Sequence, residues 1–115
     1  MVRIMPDTTT YPDTLSQLEA LRNSSDDDSI IEGLEKLIAV VQGGGYENPI
    51  TEEKLPAKEK DIWPEIFWGR SRVALFMPGT EKQYKILKKY NWYCYIIDKN
   101  IDAKLVVSHI LKERE

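Results

Sequence analysis

Apolar residues recur at helical spacing through the first half of this chain, whereas in the second half they gather into short runs. In "YPDTLSQLEALRN" Pro12 stands where a first helical turn tolerates proline, and Leu15, Leu18 and Leu21 fall on one side. A short helix is predicted there. "NSSDDD" then interrupts with six residues that favour caps and turns. After it, "SIIEGLEKLIAVVQGGG" spaces Ile30, Ile31, Leu34, Leu37, Ile38 and Val41 as one helical stripe, with acids at its start and Gly43 to Gly45 as its stop. The glycines follow a helix and do not precede one, so they read as a helix stop and not as a phosphate loop.

The stretch "YENPITEEKLPAKEKD" is polar and holds two prolines, which makes it a loop with at most a short edge strand near Ile50. From Ile62 the pattern changes. "IWPEIFW" and "SRVALFM" are rich in β-branched and aromatic residues and are joined at Gly69, as in a hairpin, with Pro64 implying an edge or a bulge. Thr80 and Gln83 then form a capping-box pattern ahead of a helix whose inward stripe is Tyr84, Leu87 and Tyr90. Asn91 can end that helix in a left-handed conformation. "WYCYIID" reads as a strand covered on both faces, and "NIDAKLVVSHILKERE" as a closing helix with Ala103, Val106, Val107 and Ile110 inward.

The predicted order is helix, helix, hairpin, helix, strand, helix. If the last two strands lie parallel, the helix between them completes a βαβ unit. The fold class is therefore α/β (α+β), a small mixed β-sheet flanked by helices. Residues 1–10 read as a flexible tail and 11–115 as a single domain, with a helical front at 11–43.

Composition changes little in this picture. With 42% hydrophobic and 30% charged residues, 115 residues make one globular domain, and no apolar run is long enough to span a bilayer. The N-terminus lacks the apolar core of a secretory signal, so a cytoplasmic location is the default expectation and no membrane contact is expected. Cys94 is the only cysteine and His109 the only histidine, which excludes an internal disulfide and a Cys/His zinc site. His109 has no visible partner set for catalysis.

Charge is uneven. Residues 1–50 hold three Lys/Arg against nine Asp/Glu, whereas residues 51–99 hold ten against seven. The acidic front disfavours indiscriminate nucleic-acid binding and leaves room for a local basic face. Arg70, Arg72, Lys82, Lys85 and Lys89 are the cations that such a face would use on phosphates. Trp63 and Trp68 are either stacking or docking residues, or parts of the core.

Three stretches together resemble the restriction-endonuclease-like fold, the PD-(D/E)xK superfamily. "WPEIFWGRSRVALFM" resembles its hairpin, which opens on a proline-acid pair. "PGTEKQYKILKKYNW" resembles the following helix, and "WYCYIIDKNID" the strand after it. The likeness spans residues 45–110 and is nearest to very-short-patch-repair endonucleases and to a C-terminal domain of some DEAD/DEAH-box helicases of bacterial defence systems. It implies a nuclease that holds Mg²⁺ with acids on the hairpin and carries a nearby Lys. Glu65 stands where the first acid usually stands. The next strand, however, reads Val73-Ala74-Leu75-Phe76-Met77, with no acid-x-Lys, and Pro78 precedes Gly79 where repair endonucleases have an acid.

Three expectations follow. The first is a catalytically silent module, an accessory or assembly part of a nucleic-acid-processing or defence complex, with no cofactor and with a protein partner or DNA or RNA. The second is an active Mg²⁺-dependent nuclease using Asp61 and Glu65 with Glu32 or Glu35, or with Asp98 as a metal ligand. The third is a small protein–protein adaptor that docks through its aromatic hairpin.

Overall fold

The computed structural model describes residues 13–112, so the expected tail at 1–10 lies outside the described residues. Among the described residues, four α-helices and a three-stranded mixed sheet form a mixed α+β fold. Helix α1 (Thr14–Ser24) begins at Asp13, whose side chain accepts a hydrogen bond from the Ser16 N–H at 2.8 Å. It runs past Asn23, through the first residues of the expected break. Helix α2 (Asp28–Val40) starts at Asp27, which caps the N–H groups of Ser29 and Ile30. A 3₁₀ turn, Val41–Gly43, winds it down, and Gly44 then takes a positive φ of 74° that a side chain would resist.

Strands β1 (Ile66–Trp68) and β2 (Val73–Phe76) form the hairpin, pairing Ile66 with Leu75 and Trp68 with Val73. Helix α3 (Glu81–Lys88) then crosses to β3 (Tyr93–Ile96), which runs parallel to β2 with Val73 opposite Tyr93. The βαβ unit predicted from the sequence is thus present. Asn91, at φ 68°, makes the left-handed turn between α3 and β3. Helix α4 (Ala103–Ser108) closes the fold. Ile110 is buried as expected but lies beyond the helix, which is shorter than the sequence suggested.

Side chains alternate across the sheet. Ile66, Trp68, Val73 and Leu75 face one core with Leu18 of α1, Leu34, Leu37 and Ile38 of α2, and Val106 and Val107 of α4. Phe67, Ala74, Phe76 and Cys94 face the other, with Leu87 of α3 and Ile62. Full burial of each large side chain stabilises by about 1.5–3 kcal/mol, so this two-sided core is the main support of the fold.

The strand covered on both faces is β2, not the expected β3. In the order β1-β2-β3 the middle strand takes the double cover, and its four residues are all 0% exposed. Strand β3 lies at the sheet edge with Tyr93 47% exposed and stacked on His109. The capping box also fails to form. Thr80 Oγ1 donates to the Met77 carbonyl at 2.8 Å, and Gln83 Oε1 accepts from the Trp63 N–H at 2.6 Å. Pro64 precedes β1, and the expected short strand near Ile50 is a single bridge from Ile50 to Phe67.

Candidate functional site

The chain from 46 to 52 is strapped to α1, and this strap shapes a cleft. Thr14 Oγ1 donates to the Glu47 carbonyl at 3.0 Å, and Gln17 Nε2 to the Pro49 carbonyl at 2.7 Å. Just past these anchors, Glu52 sits in the left-handed region at φ 61°, a conformation that non-glycine residues seldom adopt. Opposite, the chain enters β1 through Trp63, Pro64 and Glu65, held by the Glu65 N–H donating to the Leu75 carbonyl at 2.8 Å. Between α1 and these two stretches lies a hollow of about 610 Å³ lined by Gln17, Ala20, Leu21, Glu52, Trp63 and Glu65, among others. Trp63 is 54% exposed.

Burial pushes the Glu65 carboxyl above its usual range, and the nearby charge of Glu52 adds to the effect. Removal from water disfavours the ionised form, and a like charge disfavours it further. A second hollow, about 660 Å³, lies between the start of α1 and residues 41–48. Its acids are already engaged: Asp13 caps α1, and Glu47 holds the hairpin turn. The first cleft is therefore the stronger candidate site.

Glu47 was not anticipated from the sequence. It is only 7% exposed, and its carboxylate accepts from the Arg70 N–H (2.8 Å), the Ser71 N–H (2.9 Å) and the Ser71 hydroxyl (2.7 Å). The buried charge is thus spent on fixing the turn between β1 and β2. Glu52 and Gln17 were missed as well. All three lie in polar stretches or on polar helix positions where periodicity carries no signal.

The structure does not bring the acids of the active-nuclease reading together. Asp61 pairs with Lys54 at 3.1 Å on the surface. Asp98 accepts from the Asn100 N–H at 2.9 Å within its own turn, and Glu32 and Glu35 are exposed on α2. Among the described residues, no group of three or more His, Cys, Asp or Glu side chains is placed to hold a metal ion. Trp68 is 1% exposed and donates its Nε1–H to Thr14 Oγ1 at 3.1 Å, so it belongs to the core and offers no face to a base.

The basic candidates fall into two places. Lys82 and Lys85 of α3 and Lys89, which caps its C-terminal end in a helical conformation, are exposed and, at 100° per residue, lie within a narrow arc. Lys89 is 3.7 Å from Glu59, which also accepts from the Tyr90 hydroxyl. Arg70 and Arg72 occupy the hairpin turn, where the Arg72 carbonyl accepts from the Tyr93 N–H at 2.8 Å. That is the end of the sheet to which α3 returns through Asn91, and Glu65 lies at the opposite end of the hairpin.

No protein-family model, no curated protein and no solved structure matches this chain. Among the described residues, no helix is long and apolar enough to cross a membrane.

Proposed function

We propose that this chain is a catalytically silent module of restriction-endonuclease-like architecture, working in the cytoplasm as an accessory or assembly part of a nucleic-acid-processing or defence complex. The observation that carries the reading is strand β2. It is the central strand, parallel to β3 and the second arm of a hairpin that opens on Pro64-Glu65, yet Val73, Ala74, Leu75 and Phe76 are all buried and apolar. Where such nucleases carry an acid and a lysine, this strand supplies packing alone. Glu65 is left with Glu52 as its charged neighbour, and two carboxylates are a sparse ligand set for a hard divalent ion. Phosphate contact falls to Lys82 and Lys85 on α3, to Lys89 at its C-terminal end and to Arg70 and Arg72 at the turn.

The test is a titration of labelled single- and double-stranded DNA and RNA with Mg²⁺ present, at two salt concentrations. Salt-sensitive binding without cleavage, weakened in the double variant Lys82→Glu, Lys85→Glu, supports the reading. Cleavage that Glu65→Ala abolishes would overturn the silent assignment. Absence of binding at low salt would remove the nucleic-acid contact and leave the adaptor reading. Exposed Trp63 favours that second reading, since aromatic residues are enriched at protein interfaces.

A further inference from the structure

The chain holds three tryptophans, and two have found partners within the fold. Trp68 is in the core, and Trp92 packs edge-on against Phe67 at 6.1 Å. Trp63 instead presents more than half its surface to solvent at the mouth of the α1 cleft. Glu52 and Glu65 lie on the same cleft and repel each other, and neither meets a cation among the described residues. An electron-rich aromatic ring beside two carboxylates that have no cation among the described residues is complementary to an organic cation.

We propose that the cleft between α1 and residues 63–65 is a docking site for a basic segment of a protein partner. One arginine or lysine side chain of that segment lies over the Trp63 ring, with Glu52 and Glu65 as its counter-charges.

The same charges argue against other occupants. A nucleic-acid strand stacking on Trp63 would bring its phosphates towards two carboxylates, so this ring is not the base-stacking platform of the chain. A hard metal ion would lack a third acidic ligand. Arginine and lysine satisfy both halves of the site, because their apolar stems cover Ala20 and Leu21 while their heads reach the acids. None of the α3 lysines lines this cleft, so the site stands even if nucleic-acid binding fails.

The experiment is a ¹H–¹⁵N titration of the full chain with the peptide Ac-Ala-Ala-Arg-Ala-Ala-NH₂ and with its citrulline counterpart, which keeps the shape and loses the charge. The expected result is a saturable shift of the Trp63 indole signal, with the arginine peptide binding about fivefold or more tighter than the citrulline one. Glu65→Gln and Glu52→Gln should each weaken the arginine peptide by about three- to tenfold, and Trp63→Ala, at an exposed position, should abolish the shifts of Ala20 and Leu21. Equal binding of the two peptides, or no saturable shift up to about 10 mM, where a millimolar site is filled, would overturn the proposal. So would a Trp63 signal that moves with protein concentration instead, because a second copy would then occupy the cleft.

Discussion

Glu47 and Ser71 are joined by two hydrogen bonds to a single carboxylate oxygen: the Ser71 N–H and hydroxyl both reach Glu47 Oε1, at 2.9 and 2.7 Å. The Ser71 hydroxyl oxygen also accepts from the Leu111 N–H at 2.8 Å, so the pair ties the loop after α2, the hairpin turn and the chain after α4 into one knot. Glu47→Ala would leave three donors without their acceptor. Loss of buried partners costs about 1–3 kcal/mol per group, and with part of this turn exposed a destabilisation of about 3 kcal/mol is expected in urea unfolding. Ser71→Ala should cost less, about 1–2 kcal/mol, because its backbone bond survives. The two changes should be strongly non-additive in a double-mutant cycle, since each removes the same contact.

Gly33 occupies the middle of α2 because the Asp98 backbone passes directly over it. A Cβ built there would overlap the Asp98 carbonyl group, 2.9 Å from its carbon. That backbone cannot yield easily, because the Lys99 N–H donates to Ser29 Oγ at 3.0 Å and the Lys99 carbonyl accepts from Lys36 Nζ. In an open helix, Gly→Ala stabilises by about 1 kcal/mol. Here the overlap should reverse the sign, and Gly33→Ala is expected to destabilise by about 2 kcal/mol, read as a lower urea midpoint at an unchanged slope. A stabilised variant would mean that α2 and the turn after β3 are not in contact.

What the sequence revealed follows from which forces are local. The stripe of Leu34, Leu37 and Ile38, the hairpin around Gly69 and the left-handed Asn91 all announce themselves by periodicity or backbone preference, and all three are present. Strand coverage was misassigned because "WYCYII" and "RVALFM" are both apolar runs, and only strand order decides which lies in the middle. Gln83 abandoned its local cap for the Trp63 N–H, a contact across twenty residues that spacing does not encode. Of the candidate site, Trp63 and Glu65 were legible. Glu52 was not, because its role depends on the Thr14 and Gln17 hydrogen bonds that bring α1 against the 47–49 segment.

Cys94 lies on β3 with its thiol turned into the core beside α3, and burial pushes its pKa up to about 12, only partly opposed by the charge of Lys88. The thiolate is the reactive form. At pH 8 the native protein should therefore resist a thiol-specific disulfide reagent, and reaction should appear only as urea unfolds the chain. The labelling rate would then report the opening of the α3–β3 unit. Fast native labelling at pH 8 would show that β3 opens independently of the rest of the sheet.

Glu65 makes a pH prediction of opposite sign to that of an ordinary paired carboxylate. Its folded pKa is raised above the usual value of 4.5 by burial and by Glu52, so between those two values the folded state holds more protons than the unfolded one. Stability contributed by this group is therefore greatest at low pH and falls as pH rises through the folded pKa. Glu65→Gln removes the charge and should be more stable than the parent at pH 7.5, with the difference shrinking towards zero below about pH 4. Urea unfolding of both proteins at three pH values checks the trend. A ¹³C carboxyl titration of Glu52→Gln should show the Glu65 pKa moving back part of the way, because burial, the larger cause, is still in place. A destabilised Glu65→Gln at neutral pH would mean that the carboxylate has a cation beside it in the folded protein, and the cleft would then be already occupied.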